Sequence, residues 1–207
     1  MSEQGTAEWF ADRVGNCTAS RVKDATAKTK SGWSASRAKY RAELVTERLT
    51  GKPAGGFRQT PAMEWGTEQE PYARSAYEAR TGVLVVEVGY VPHPEINRSG
   101  ASPDGLVESD GCLEIKAPES HTHIDTLLSD RIPPQYVKQM TWQIACTGRK
   151  WCDFVSFDPR LPEGLQYWSQ RFTPSAEDIA ELERDVDLFL GEVQDLEDKL
   201  RGLMDEG

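Results

Sequence analysis

Pro103-Asp104 is separated by nine residues from Glu114-Ile115-Lys116. Two carboxylates and one ammonium at that spacing suit metal-assisted attack on a phosphodiester. Carboxylate oxygens are hard ligands that hold Mg2+ while leaving it several waters. A metal held this way polarises a phosphate and lowers the pKa of a bound water. A neighbouring lysine can orient or deprotonate that water and offset charge building on phosphorus. The main-chain carbonyl of Ile115 could add one more oxygen ligand. The same three side chains would also suit the solvated face of a hairpin, so the local motif leaves both readings open.

These residues can meet only if particular elements hold them. In a strand, residues i and i+2 share a face. Glu114 and Lys116 would then project together, with Ile115 turned into the opposite, apolar layer. Ser109-Asp110-Gly111 lies between Leu106-Val107 and Cys112–Lys116, which is a hairpin signal. That hairpin sets Asp104 at the start of the adjoining strand. Val83–Val91 and Trp151–Phe157 read as further strands.

Helical spacing of Ala38, Ala42, Val45 and Leu49 predicts a helix over Ser36–Leu49, stopped by Gly51. Another is expected over Thr67–Arg80, with Thr67 and Glu70 at capping-box spacing, or starting at Glu70 to accommodate Pro71. Pro134–Cys146 reads as a buried helix carrying Tyr136, Met140 and Ile144. Residues 175–204 form a long acidic helix whose apolar stripe includes Leu182, Val186, Phe189 and Val193, as core or subunit interface. From Trp9 to about Lys28 the pattern suggests a short helix, a turn near Gly15, and a second helix capped by Thr18 or Ser20. Lys28–Trp33, Lys52–Pro61 and His93–Ala101 read as loops, and 119–132 as irregular. This order predicts an α/β (α+β) fold, a central mixed β-sheet flanked by helices, as one domain over 1–207.

Three outlying features could join the motif. Glu70 precedes the sheet. Tyr136 and Gln139 share a helical face after it. Arg13 with Thr18-Ala19-Ser20 offers a cation and hydroxyls at a helix N-terminus, a ready anion site. The net charge of −10 argues against a nucleic-acid partner until its distribution is considered. Residues 1–60 hold 11 Lys and Arg against 6 Asp and Glu, whereas residues 161–207 hold 4 against 13. No apolar run approaches the roughly 20 residues a membrane span needs. The first residues lack the basic start and apolar stretch of a secretory leader. Cys17, Cys112, Cys146 and Cys152 form no Cys-x-x-Cys pair, so reduced thiols in a cytosolic compartment are expected rather than a zinc or redox motif.

Five motifs in order resemble the phage lambda exonuclease (YqaJ-type viral recombinase) family, a branch of the PD-(D/E)xK nucleases. They are Trp9-Phe-Ala-Asp-Arg-Val-Gly15 with Thr18-Ala-Ser20, Trp65-Gly66-x-x-x-Glu70, Ser102-Pro-Asp-Gly-Leu106, Leu113-Glu-Ile-Lys116, and Tyr136-x-x-Gln139-x-x-x-Gln143. Asp158-Pro159-Arg160, Gly164-Leu165 and Tyr167 extend the likeness. The resemblance implies a restriction-endonuclease-like core. It implies Asp104, Glu114 and the Ile115 carbonyl as ligands of Mg2+, with two ions and Mn2+ as a substitute. Glu70 would act at the metals, Lys116 would be the catalytic lysine, and Gln139 would position Lys116 or the water.

Arg13, Thr18 and Ser20 would bind a 5′-phosphate. Ser102, Tyr136, Lys30 and Trp33 would give weaker DNA contacts. Met63 stands where the family would place an apolar wedge, although a core methionine is the default reading. The resemblance further implies 5′→3′ degradation of one strand of linear duplex DNA, a homotrimeric ring, a single-strand annealing partner, and a phage or prophage protein in a bacterial cytoplasm. Lys30 stands where the family can use arginine, and the acidic C-terminal helix has no evident counterpart.

Other residues are read as follows. His121 and His123 are expected to be solvated, lacking a third metal ligand. Arg37, Lys39 and Arg41 suit either phosphate tracking or a polar helix face. Trp33 is the tryptophan placed to stack on a base. A related endonuclease, an iron–sulfur nuclease, for which the cysteines are wrongly spaced, and a DNA-end or recombinase-binding module without activity are the alternatives.

Overall fold

The computed structural model describes residues 4–55 and 60–205. The middle of the expected 52–61 loop lies outside the described residues. Helices are α1 (Ala7–Arg13), α2 (Val22–Ala25), α3 (Ala35–Thr50), α4 (Pro61–Thr81), α5 (Ser120–Ser129), α6 (Val137–Thr147) and α7 (Ala176–Asp205). Strands are β1 (Cys17–Thr18), β2 (Lys28–Thr29), β3 (Gly32–Trp33), β4 (Val85–Val86), β5 (Val91–Pro92), β6 (Ser99–Ala101), β7 (Gly105–Val107), β8 (Gly111–Lys116), β9 (Trp151–Phe157) and β10 (Tyr167–Phe172). The main sheet has the order β10-β9-β8-β7-β4. Its β8–β9 pair is parallel and its other pairs are antiparallel. A smaller sheet has the order β1-β6-β5, with Cys17 and Thr18 parallel to Ser99 and Gly100.

Strand β8 is the middle strand of the main sheet, and its alternation separates two cores. Leu113 and Ile115 pack with Val155 and Phe157 against Ala73 and Tyr77 of α4. Cys112 packs with Cys152 and Phe154 against Met140 and Ile144 of α6. Glu114 and Lys116 share the parity of Cys112, as strand geometry requires. The first position of β8 needs Gly111, because a Cβ there would run into the ring of Trp151, its partner on β9. A third core joins α3, α6 and α7 through Tyr40, Leu44, Trp142, Val186, Phe189 and Val193. The stripe of α7 is therefore core over this stretch. No helix among the described residues is long and apolar enough to cross a membrane.

Several expected elements differ. Helix α4 starts at Pro61 rather than Thr67, because Thr60 accepts the Met63 N–H and Pro61 occupies a position whose donor is unused. Pro71 lies inside that helix. The Val83–Val91 run is not one strand: Val85–Val86 pair with β7, while Val91–Pro92 pair with β6 in the smaller sheet. The chain changes sheets between them. Residues expected to be irregular form α5, and Lys28–Trp33 is a two-stranded hairpin rather than a loop. Ala19–Arg21 is a 3-10 turn leading into α2, and neither Thr18 nor Ser20 caps it.

Arg37 does not reach outward for phosphate. Its side chain is 2% exposed, bonds Glu192 of α7 at 2.7 Å, and also contacts the Ala25 carbonyl. It is a clamp between α3 and α7. Arg41 also faces Glu192, whereas Lys39 is solvent-exposed beside Glu43. Truncating one partner of a buried pair strands the other charge. Glu192→Ala is thus expected to cost about 3 kcal/mol in chemical denaturation, against less than about 0.5 kcal/mol for Lys39→Ala. Equal losses would show that the clamp contributes nothing beyond a surface pair.

Candidate active site

Glu114 has no solvent exposure, yet it carries a carboxylate. A buried charge of this kind persists only if its oxygens are satisfied. Oε1 accepts the Gln139 Nε2–H at 2.6 Å and contacts the Lys116 ammonium. Oε2 accepts the Gln143 Nε2–H at 2.5 Å. Two side chains one turn apart on α6 thus grip one carboxylate of β8. Across the hairpin, the Asp104 N–H donates to the Leu113 carbonyl at 3.0 Å, and Asp104 Oδ2 accepts the Ile115 N–H at 2.6 Å. Glu70 of α4 pairs with Arg74 at 2.5 Å, and Arg74 reaches Glu87 at 2.7 Å. Glu70, Asp104, Ile115, Lys116, Tyr136 and Met63 line one cavity of about 410 Å³.

The electrostatics follow from burial. Asp104 is held well above the usual carboxylate range by desolvation, then by the charges of Glu114 and Glu70, against Lys116 and the Ile115 N–H. Glu70 is raised by desolvation, with Glu87 and Glu114 adding to it and Arg74 opposing. Burial lowers the Lys116 pKa, but Glu114 and Asp104 outweigh it and leave it raised. Lys116 is therefore an ammonium in the metal-free site.

Burial and, after it, neighbouring carboxylates raise both Asp104 and Glu70; a divalent cation would offset the second of these, and an all-oxygen donor set is the chemistry Mg2+ prefers. Among the described residues no three His, Cys, Asp or Glu side chains already close on one point. Glu114 is engaged by Gln139, Gln143 and Lys116, and Glu70 by Arg74.

The raised Asp104 pKa has a definite sign. The folded state keeps the proton at pH values where the unfolded chain has lost it, so this group's contribution is favourable below the unfolded value of about 3.9 and is lost as pH rises through the folded one. Asp104→Asn retains an oxygen for the Ile115 N–H and removes the charge. The metal-free variant is expected to melt about 2–4 °C above the parent at pH 8, a gain that shrinks towards pH 4, and to lose any stabilisation by divalent cations. A variant less stable than the parent at pH 8 would contradict this reading of the site.

A second cavity, of about 280 Å³, is lined by Arg13, Thr18, Ser20, Arg21, Tyr40 and Glu47, among others. The Arg13 guanidinium lies 4.0 Å from the Trp9 ring centroid. Burial lowers its pKa, opposed by Tyr40, Tyr90 and Glu47, yet a guanidinium stays charged. The Trp9 indole N–H donates to Ser102 Oγ at 3.0 Å, two residues before Asp104. Gln4 donates to the carbonyls of Val88 and Pro103, each at 2.8 Å. Helix α1 is thereby tied to the segment that presents Asp104.

The remaining expected residues fall as follows. Met63 is 52% exposed in the cavity that holds Asp104 and Lys116, not in the core. Tyr136 lines the same cavity and stacks on Phe154 at 5.2 Å. Lys30 is exposed at the tip of the β2–β3 hairpin. Trp33 remains partly exposed, but Arg37 and Lys28 lie over its ring at 3.7 and 5.0 Å. Neither Lys30 nor Trp33 lines either cavity.

His123 is not solvated. It is fully buried, with its ring nitrogens bonded to Ser156 Oγ and the Leu165 carbonyl. His121 is exposed. Sequence reasoning missed Arg160 as a brace. It bonds Asp158 and the Pro118 carbonyl, each at 2.7 Å, and lies 4.7 Å from the Trp65 ring centroid. The Asp158-Pro159-Arg160 motif was its only signal.

A YqaJ-like viral recombinase domain matches residues 8–150. The chain belongs to the YqaJ-like viral recombinase family. An alkaline exonuclease (LHK-Exo) from Laribacter hongkongensis is 47% identical, with 97% of this chain and 99% of that chain covered and a TM-score of 0.89. The same exonuclease in complex with dAMP gives 47% identity, the same coverage and a TM-score of 0.90. A phage-related exonuclease from Haemophilus somnus 129PT shares the fold at 13% identity, over 91% of this chain and 96% of that chain, with a TM-score of 0.66. No curated protein sequence matches the chain. Membership of the family accords with the observed mixed sheet flanked by helices, a PD-(D/E)xK-type fold.

Proposed function

We propose that this chain is a Mg2+-dependent exonuclease that degrades one strand of linear duplex DNA in the 5′→3′ direction. It would release mononucleotides and leave 3′ tails for strand annealing. The observation that carries the reading is the pairing of an acidic cavity holding Asp104, Glu70 and Lys116 with a cavity holding Arg13, Thr18 and Ser20, joined through the Trp9–Ser102 hydrogen bond. The 47% identity to an alkaline exonuclease, also known in a complex with dAMP, supports it.

Asp104, Glu114 and the Ile115 carbonyl would hold the metal, two ions in the full site, with Mn2+ as a substitute and Glu70 acting through water. A metal held there would polarise the phosphate and lower the pKa of a bound water. Lys116, an ammonium, orients that water and offsets charge on the phosphate. Gln139 keeps Glu114 beside Lys116. Arg13, Thr18 and Ser20 receive the 5′-phosphate, and the exposed Met63 serves as the wedge where strands part. Ser102, Tyr136, Lys30 and Trp33 give secondary DNA contacts. The reading extends to a single domain, a homotrimer, a single-strand annealing partner and a bacterial cytoplasm.

The test uses linear duplex DNA with and without a 5′-phosphate, and closed circular DNA, in Mg2+ or EDTA. Mononucleotides and 3′ tails are expected in Mg2+ only, faster on the phosphorylated end. Nicking of closed circles would favour an endonuclease, and inertness with every metal a binding module. Lys116→Ala is expected to lower cleavage by about 10²-fold or more while sparing DNA binding. Arg13→Ala should chiefly erase the preference for a 5′-phosphate, and an unchanged preference would remove Arg13 from that role.

A further inference from the structure

Gln139 and Gln143 lie one turn apart on α6 and divide the two oxygens of Glu114 between them. Their surroundings differ. Gln139 reaches Oε1, the oxygen that also contacts Lys116, and Lys116 lines the cavity. Gln143 is fully buried, whereas Gln139 is half-buried. A carboxylate can only accept hydrogen bonds, so the Gln143 amide must present its N–H₂ to Oε2 and turn its carbonyl the other way. That carbonyl meets Cys152 Sγ at 3.7 Å, within reach of the thiol hydrogen. Cys152 is also fully buried, on the strand paired with β8, where Cys112 is its partner in register. A chain of two donors therefore runs from Cys152 through Gln143 to Glu114.

We propose that Gln143 is a positioning residue that locks the Glu114 carboxylate in the orientation needed to bind metal, with the Cys152 thiol fixing the direction of the Gln143 amide. The proposal rests on Glu114 being a metal ligand. Without the Gln143 N–H, Oε2 has no donor from α6, and the carboxylate is free to rotate away from the cavity or to draw Lys116 further onto itself. Partners of this kind commonly change metal affinity or activity by about 10–100-fold when removed. Cys152 acts one step further out through a weak donor, so its effect is smaller.

The test compares Gln143→Met, which keeps length but has no donor, with Gln143→Asn, Cys152→Val and Cys152→Ser. Thermal unfolding checks folding in the absence of metal. Calorimetric titration with Mn2+ reads affinity directly. Cleavage of 5′-phosphorylated duplex DNA is then followed against Mg2+ and against DNA concentration. Gln143→Met is expected to weaken Mn2+ binding about tenfold or more. Half-saturating Mg2+ should rise in parallel, with the KM for DNA unchanged. Cys152→Val should move in the same direction by a smaller factor, and Cys152→Ser, which keeps a donor, should return towards the parent.

A merely structural glutamine would lower the melting temperature and the active fraction but leave the Mn2+ affinity of the folded protein alone, and that result overturns the proposal. Gln143→Asn and the Cys152 pair keep the test open should the methionine variant fail to fold. Glu114→Gln separates the two levels. If it loses Mn2+ binding while Gln143→Met does not, only the role of Gln143 falls. If it binds Mn2+ like the parent, the reading of Glu114 as a ligand falls first and takes this proposal with it.

Discussion

The structure turns on keeping one negative charge out of water. Glu114 sits in the middle strand of the sheet with no solvent exposure, and its oxygens are met by Gln139, Gln143 and Lys116. An unpaired carboxylate there would neutralise itself or unravel the packing around it. Its partners come from α6 and from its own strand, so α6 must dock against β8 at one rotation. Met140 and Ile144, on the same helix, supply the apolar contact with Cys112, Cys152 and Phe154 that sets that rotation. Polar satisfaction and hydrophobic packing thus select a single arrangement.

The opposite face of the sheet does different work. Ala73 and Tyr77 of α4 pack on Leu113, Ile115 and Val155. That contact fixes α4, and with it Glu70 and Met63 at the cavity. Arg160 then bridges the Pro118 carbonyl, just past Lys116, to the Trp65 ring of the same helix. Two layers of helix on a shared sheet bring carboxylates from α4 and from the β7–β8 hairpin to one opening. Burial, and after it the repulsion among these carboxylates, raises the pKa of Asp104 and Glu70.

Much of this was legible before any coordinates. The Asp110-Gly111 turn flanked by apolar runs specified the β7–β8 hairpin, and period-two alternation put Glu114 and Lys116 together. The long periodic segments became α3, α6 and α7 with ends shifted by a few residues. Expectations failed where local signals were weak or were overridden by distant partners. Val83–Val91 has strand composition throughout, but its two ends found different sheets. His123 looked solvated because its partners, Ser156 and Leu165, lie over 30 residues away in the chain. Arg37 looked like a surface cation because Glu192 is 155 residues away.

For the motif of Asp104, Glu114 and Lys116, the sequence by itself determined which residue types are present and which share a face. Strand geometry repeats every two residues whatever surrounds it, so the pairing of Glu114 with Lys116 needed no further information. Tertiary structure alone decided that Glu114 is buried, that Gln143 and Cys152 stand behind it, and that Lys116 remains an ammonium. Those properties depend on desolvation and, at Glu114, on the donors Gln139 and Gln143, 25 and 29 residues away along the chain. Burial and charge are set by what packs around a group, and a local pattern does not contain its own surroundings.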